Sequence, residues 1–220
     1  MKEYPILFDA ESMRANLALL KTQTRRTRGL DVINEAPDRW RLWHGEINGM
    51  WAFTDHPTQG EKGNIINVRC PYGQVGDRIW GRETFWTPGE IPNPPLIDTG
   101  DYIKSPNGWA AVVYRADGDY DDGAWKPSIF MPRWACRFVA EIVSERVGRV
   151  LPISDEDIQA EGVQPIMVDS GGVTPWGEPI EVENYIDPWI ERWDTINTKP
   201  GRTSEDNPWV WIIEYRQVRS

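Results

Sequence analysis

The residues best suited to chemistry lie near the amino end of the sequence, in the run Lys21-Thr22-Gln23-Thr24-Arg25-Arg26. Lys21 and Thr24 are three residues apart, so they share a face on a helix and can still converge across a turn if the chain is extended. A lysine amine beside a threonine hydroxyl acts as base to a nucleophile when burial lowers the pKa of the amine toward neutrality. The alternative is a solvated, basic helix end.

Other catalytic signatures are absent from the sequence. It has no Gly-rich loop ending in Gly-Lys-Ser/Thr, no Gly-x-Gly-x-x-Gly and no Gly-x-Ser-x-Gly. Two cysteines, Cys70 and Cys136, and two histidines, His44 and His56, are too few for a zinc cluster or a disulfide framework. We therefore expect no metal and no cofactor, and two buried, reduced thiols.

The net charge of −10 is unevenly distributed along the 220 residues. Residues 151–195 carry eleven acidic side chains against one base, Arg192, so this segment alone accounts for the whole net charge. By contrast, Lys21, Arg25, Arg26 and Arg28 form a basic cluster without an acid between them. Because a phosphate-bearing ligand responds to local potential, the overall charge does not exclude a nucleic-acid partner.

The elements that must position these residues follow from periodicity. Asp9 is placed to cap a helix that carries apolar residues at helical spacing up to Leu20, so the basic cluster lies at its carboxyl end. Ser154 caps a second helix that ends at Gly162. A third helix is predicted over residues 183–197, and residues 208–216 are apolar enough for a central strand.

Strands dominate the remaining pattern, which predicts an α+β fold or a small barrel flanked by helices. The whole chain, 1–220, is interpreted as a single domain with long, irregular insertions near 31–64, 87–124 and 163–182. The sequence contains no run of about 18 apolar residues and begins without an apolar signal core, so we expect no membrane span and a cytoplasmic location.

The 13 tryptophans divide by position. Those in strand-like segments, such as Trp209 and Trp211, are expected to pack in the core. Those in the irregular segments are candidates to rim a cleft, where an aromatic face stacks on a base. Trp86 and Trp125 are the preferred candidates for this ligand-binding role.

Eight blocks of residues, in order and spanning most of the chain, carry a resemblance to a known family. These blocks are Pro5–Phe8, Leu20–Arg26, Cys70–Trp80, Arg82–Trp86, Lys126–Ala135, Ile153–Gly162, Trp193–Asn197 and Asn207–Trp211. Through them the chain resembles the ASCH domain family of the PUA-like superfamily, and within it the phage and prophage members. The resemblance implies a mixed β-barrel flanked by helices, with a cleft that in relatives binds RNA, modified nucleosides or modified bases.

One small bacterial branch of that family removes the acyl group from N4-acetylcytidine. Its Lys-Thr-x-Thr-x-Arg motif is similar to residues 21–26, and Glu161 best matches its carboxylate. The resemblance then implies that Lys21 activates Thr24, that Glu161 orients the pair or exchanges protons, and that Arg25 or Arg26 holds a phosphate or an oxyanion. Because this chain is much longer than that enzyme, the match supports a shared site better than a shared substrate.

Three functions remain open on the sequence. The leading hypothesis is a phage-type protein that binds RNA, DNA or a modified nucleoside in a cleft around Lys21, Thr24, Arg26 and Glu161, inside the bacterial host. The second is an enzyme, either an amidohydrolase on N4-acylated cytidine or a ribonuclease, that uses the same residues. The third is a protein-interaction module in which the acidic segment 151–195 contacts a basic host protein. The oligomeric state is left open.

Overall fold

The computed structural model describes residues 1–56, 63–87, 89–91, 102–118 and 124–218. The strands are, in chain order, β1 Glu3–Leu7, β2 Gln23–Arg26, β3 Arg41–Ile47, β4 Met50–Thr54, β5 Ile65–Val68, β6 Arg78–Arg82, β7 Phe85–Trp86, β8 Glu90–Ile91, β9 Tyr102–Ser105, β10 Gly108–Ala111, β11 Val113–Tyr114, β12 Val139–Arg149, β13 Ile166–Val173, β14 Pro179–Asn184 and β15 Trp209–Gln217. The helices are α1 Ala10–Leu17, α2 Asp31–Asn34, α3 Asp155–Ala160 and α4 Ile186–Ile196. The fold is thus a mixed, sheet-rich α+β structure, as the sequence pattern predicts.

The central sheet has five strands in the order β1-β6-β12-β15-β2. Only the β1–β6 pair is parallel, and the other ladders are antiparallel. The expected closed barrel is not formed by the described residues, because β1 and β2 are the two edges of this sheet and no backbone ladder joins them. Instead, Arg26 Nη2 on β2 donates to the Leu7 carbonyl at the end of β1, over 2.8 Å. A side chain therefore bridges the two edges.

The two faces of β15 bury different clusters because its side chains alternate. Trp211, Ile213 and Tyr215 pack into the main core, with α1 and the three-stranded sheet β3-β4-β5. Val210 and Ile212 pack on the other face, against α3 and α4. The prediction that this last strand lies inside the sheet is confirmed. Because paired residues of neighbouring strands face the same side of a sheet, each residue of β2 faces the same side as its partner on β15.

The helix starts predicted at Asp9 and Ser154 are confirmed by their caps. The predicted end of the first helix near Lys21 is wrong, because α1 ends at Leu17 and Gln23–Arg26 form strand β2. The Asp9 carboxylate accepts from Ser12 N at 2.7 Å at the start of α1, and the Ser154 hydroxyl accepts from Asp157 N at 3.2 Å at the start of α3. Helix α4 begins at Ile186 and takes Pro188 in its first turn, where a missing amide hydrogen costs nothing.

The expectation of irregular insertions is wrong for the described residues. Segment 31–64 contains α2 and strands β3 and β4, segment 87–124 contains the sheet β8-β10-β9, and segment 163–182 forms most of the hairpin β13–β14. The turn-forming residues of these segments are typical of loops, but short strands also pair locally between such turns. Positions 57–62, 88, 92–101 and 119–123 lie outside the described residues.

The tryptophans of the first of these segments are also more buried than expected. Trp40 and Trp51 are each 7% exposed and belong to the main core, where Trp51 meets Trp211 edge to face. Both predicted thiols are free, with Cys70 buried and Cys136 half-buried.

We predict that Gly162→Ala lowers the free energy of unfolding by about 1–3 kcal/mol. Gly162 follows α3 with φ at +80°, and an added Cβ would lie 2.8 Å from Ala15 Cβ and 3.0 Å from Lys21 Cβ. Urea unfolding gives the measurement. Gly76→Ala is the matched control, because Gly76 has a similar φ of +86° and no atom within 4 Å of the added Cβ. Equal losses in the two variants would contradict a steric origin.

Candidate functional site

Lys21 and Glu161, which sequence reasoning placed together, do meet. Lys21 Nζ lies 2.6 Å from Glu161 Oε2 and also donates to the Glu161 carbonyl oxygen at 2.7 Å. The Lys21 side chain is 4% exposed and that of Glu161 is 9% exposed, so this is a buried ion pair. The turn at Gly162 delivers Glu161 to the amine, since Gly162 packs directly on Lys21.

Arg25 extends this pair into a network. Its guanidinium donates to Glu161 Oε1 at 3.1 Å and to Asp157 Oδ2 at 2.6 Å, and its Nη1 also donates to Gln23 at 2.7 Å. Asp157 accepts further bonds from Gln23 and from Arg146. Two buried cations thus face two carboxylates of α3 and its carboxyl end, which is the arrangement that makes burial of charge tolerable.

The network changes the proton affinities of Lys21 and Asp157. Burial lowers the pKa of Lys21 below its ordinary value, and the charge and hydrogen bond of Glu161 offset this only in part. Burial opposes the charge of Asp157, but hydrogen bonds from Gln23 and Arg146 and the charge of Arg25 outweigh it, so the pKa of Asp157 lies below its ordinary value.

Thr24 is placed differently from Lys21 and Arg25. Thr24 lies opposite Ile213 in the β2–β15 ladder, so it faces the main core, whereas Arg25 lies opposite Ile212 and faces α3 and α4. The Thr24 hydroxyl is buried and has no hydrogen-bond partner, so it makes no hydrogen bond to Lys21 Nζ. The predicted base–nucleophile pair is therefore not assembled in this arrangement.

Two cavities adjoin the network. A small cavity of about 30 Å³ is bordered by Lys21, Arg25 and Glu161, together with residues of α4. A second cavity of about 240 Å³ opens beside it. We call this second cavity the basic groove, lined by Pro5, Leu7, Arg25, Arg26, Thr27, Arg28, Tyr72, Ile196 and Asn197. Four of these residues also border the small cavity, so the two cavities lie side by side and share a wall.

The basic groove contains a residue that sequence reasoning missed. Burial raises the pKa of the Tyr72 phenol, and the charges of Arg26 and Arg28 oppose this shift only in part. Tyr72 is therefore a neutral hydroxyl beside two cations. Its position in a Pro-Tyr-Gly turn held no signal of this role, because only the tertiary fold places that turn against residues 26–28.

A larger cavity of about 620 Å³ lies between α1 and α4. Arg192 lies in the wall between this cavity and the small cavity. Its guanidinium donates to Asp9 at 2.8 Å and to Ser12 at 3.0 Å, and it also pairs with Glu11. Arg192 is the single base of the acidic segment, and its partners lie at the N-cap and in the first turn of α1.

Trp86 and Trp125, predicted to bind the ligand, are not near these cavities. Trp86 pairs with Val113 in the β7–β11 ladder, and the Trp125 ring carries the Arg115 guanidinium at 5.2 Å. Neither borders any of the three cavities described above. Their position in Pro- and Gly-rich sequence suggested a cleft rim, but β7 and its surroundings form a separate small cluster.

In the part of the chain that the structure describes, no group of three or more His, Cys, Asp or Glu side chains is arranged to hold a metal ion. No helix among the described residues is both long and apolar enough to cross a bilayer. Comparisons of the chain with models of protein families, with curated proteins and with solved structures find no match.

We predict that Glu161→Gln destabilises the protein by about 3–5 kcal/mol, because it leaves Lys21 and Arg25 buried with one carboxylate fewer. Urea unfolding measures the loss. Glu191→Gln, at an exposed acid of α4, is the control and should change stability by less than about 0.5 kcal/mol. Lys21→Met combined with Glu161→Leu should recover much of the loss. A cost for Glu161→Gln as small as that of the control would show that the pair is not held as a buried charge.

We also predict a specific pH dependence for Asp157→Asn. Because the pKa of Asp157 is lowered in the folded state, its stabilisation is present above the unfolded pKa and is lost as the pH falls through the folded value. The stability difference between wild type and Asp157→Asn should therefore be largest near neutral pH and shrink below about pH 4.

The measurement is urea unfolding at a series of pH values. Asp155→Asn is the matched control, because Asp155 is exposed in the same helix two residues earlier. A pH-independent difference for Asp157→Asn would contradict the role assigned to its carboxylate.

Proposed function

We propose that this protein binds a phosphate-bearing nucleotide unit, of RNA, DNA or a modified nucleoside, in the cleft formed by the basic groove and the small cavity. The proposal includes membership of the ASCH family, with a PUA-like fold, in a phage or prophage and the bacterial cytoplasm as its place of action. The eight sequence blocks and the meeting of Lys21 with Glu161 support it. The single observation that carries the binding function is the wall that the two cavities share, which contains Arg25 and Arg26.

The basic groove supplies the features that a phosphate needs. Arg28 is exposed at its rim and Arg26 is half-buried, and guanidinium groups pair with phosphate oxygens through two parallel N–H donors. The neutral Tyr72 hydroxyl adds a donor, and Thr27 and Asn197 add polar groups. A sugar-phosphate would thus sit in the groove with its charge against the two arginines.

The small cavity supplies selectivity for a substituent. Its volume of about 30 Å³ holds a single small group, about the share of one water molecule in the liquid. Its walls present a carboxylate and cations that are paired with one another. A polar group that enters loses its bonds to water, so it must hydrogen-bond to these side chains to avoid a desolvation cost. This arrangement suits an exocyclic polar substituent on a base better than a bare aromatic edge.

The amidohydrolase on N4-acylated cytidine is the second candidate. The lowered pKa of Lys21 and the unpartnered hydroxyl of Thr24 favour it. Against it, the Lys21 amine is bound to Glu161, and Thr24 faces the other side of β2. Catalysis by these residues, including ribonuclease action, would need the ion pair to open and β2 to change its alignment. Recognition needs neither change.

The interaction-module alternative concerns a different surface. The hairpin β13–β14 carries four acids and no base, and Trp176 in its connection is 74% exposed. This favours a basic protein partner for the hairpin. It does not compete with the cleft, since Asp157 and Glu161 of the acidic segment serve inside the molecule as partners of cations.

We predict that Arg28→Glu weakens binding of nucleoside monophosphates by at least about tenfold, because it reverses the charge at the groove rim. Calorimetric titration of the pure protein with the ribonucleotides, the deoxyribonucleotides and N4-acetylcytidine monophosphate measures the affinity. Arg216→Glu, a charge reversal at another exposed arginine, on β15, is the control and should leave the affinity within about twofold.

Absence of binding by wild type at millimolar ligand would contradict the proposed function. Incubation of the same protein with N4-acetylcytidine separates the second candidate. Release of acetate and cytidine by wild type, abolished in Thr24→Ala while the fold is retained, would establish the hydrolase instead.

A further inference from the structure

The basic groove continues onto a second exposed surface through strand β1. Pro5 and Leu7 border the groove, and in the parallel β1–β6 ladder Pro5 lies beside Trp80 and Leu7 beside Arg82. Leu7 is 47% exposed, whereas Ile6 between these two residues is buried. Pro5, Leu7 and the half-buried Arg82 therefore form one surface that starts at the groove, and Trp80, which is only 7% exposed, lies beneath its cations.

Cationic side chains follow this surface on β6 and beyond. The Trp80 ring is covered by two guanidinium groups, of Arg82 at 4.7 Å and of Arg133 at 5.7 Å from the ring centre. The Arg133 side chain is 45% exposed and is paired with Glu3 at 2.9 Å. Ion pairs as exposed as this one contribute little to stability, so the guanidinium can exchange Glu3 for another anion.

The surface ends in two exposed apolar side chains. Ile129 is 58% exposed and Phe130 is 68% exposed, in a 3-10 turn of residues Ser128–Phe130. The turn is held in place, because Arg82 Nη1 donates to the Ile129 carbonyl at 3.2 Å and the next residue, Met131, is fully buried. The fold thus presents an aromatic ring to solvent on a fixed support.

We define the β1–β6 strip as Pro5, Leu7, Arg82, Ile129, Phe130 and Arg133. We propose that the ligand is a single-stranded nucleic acid that places one nucleotide in the basic groove and the neighbouring nucleotides on the strip. This inference rests on the proposed function and adds that the natural ligand is a polymer. Its phosphates would contact Arg82 and Arg133, and an unpaired base would stack on Phe130.

The chemistry of the strip favours a single strand over a duplex. Stacking on an exposed ring needs a base whose face is free, and in a duplex the base faces are covered by their neighbours.

The test compares a polymer with a monomer on the same variants. Fluorescence anisotropy measures binding of labelled single strands of oligo-dT and oligo-rU of about 12 nucleotides, a length within the usual range of site sizes for single-strand binding folds. The matching duplexes and the mononucleotides of the preceding experiment are the comparison ligands.

We expect Phe130→Ala to weaken binding of the single strands by about 5- to 100-fold, the usual loss for one stacked base, and to leave mononucleotide binding within about twofold. Arg133→Ala should reduce the slope of log affinity against log salt by about 1 for the polymer only. Wild type should prefer the single strands to the duplexes.

Two residues elsewhere provide matched controls. Trp176→Ala removes an aromatic ring that is 74% exposed on the acidic hairpin. Arg39→Ala removes a guanidinium that, like that of Arg133, lies over a tryptophan and pairs with a carboxylate, here Trp40 at 5.3 Å and Asp55. Both should bind the single strands as wild type does.

Three outcomes would overturn the inference. Single strands bound no more tightly than mononucleotides, or unaffected by Phe130→Ala and Arg133→Ala, would refute the strip and leave the nucleotide site standing. Absence of binding to any of the ligands would refute both. Conversion of a wild-type dimer to a monomer by Phe130→Ala, measured by light scattering, with unchanged affinity for the single strands, would identify the strip as a protein interface.

Discussion

The burial of two cations beneath α3 and α4 is the constraint on which the rest of the structure depends. Lys21 and Arg25 are almost inaccessible to water, so each needs a carboxylate within hydrogen-bond distance. Asp157 and Glu161 supply these carboxylates from one short helix and its end. The close approach at Gly162 permits that placement, and α4 closes over the network with Trp189, whose ring lies 5.9 Å from the Arg25 guanidinium.

This constraint also divides the functional residues between the two faces of the edge strand β2. Because neighbouring residues of a strand face opposite sides, Arg25 enters the charge network whereas Thr24 enters the main core. Arg26, on the same face as Thr24, reaches across to Leu7 and joins the two edges of the sheet. The basic groove lies where these two edges approach each other, and Leu7 and Arg26 both line it. The strip on β1 and β6 is the outer continuation of the same edge.

The net charge of −10 takes on a different meaning in the folded chain. Part of the acidic segment neutralises cations within the molecule, since Glu161 pairs with Lys21 and Asp157 with Arg25 and Arg146. The remaining acids lie at the start of α3, on the exposed hairpin and on α4. The charged side chains that line the basic groove are all positive, although the net charge of the protein is negative.

The sequence by itself determined the elements whose signals are local. The Asp9 and Ser154 caps, the proline in the first turn of α4 and the apolar run of β15 all specify their structure within a few residues, and each prediction is confirmed. The pairing of Lys21 with Glu161 was also anticipated, although only through resemblance to a family. The local strands of the insertions were missed, because their turn residues are equally typical of loops.

Only the tertiary structure decided the long-range placements. The central sheet is open because its strand order places β1 and β2 at opposite edges. The Arg26 side chain, and not a backbone ladder, connects these two edges. The tertiary structure places Tyr72 in the basic groove and places Trp86 and Trp125 elsewhere. Local sequence patterns do not predict such contacts, since the contacts join residues far apart in the chain and depend on how the strands pack. The sequence thus specified which residues are able to do chemistry, and the packing of α3 and α4 on the sheet determined which of them meet.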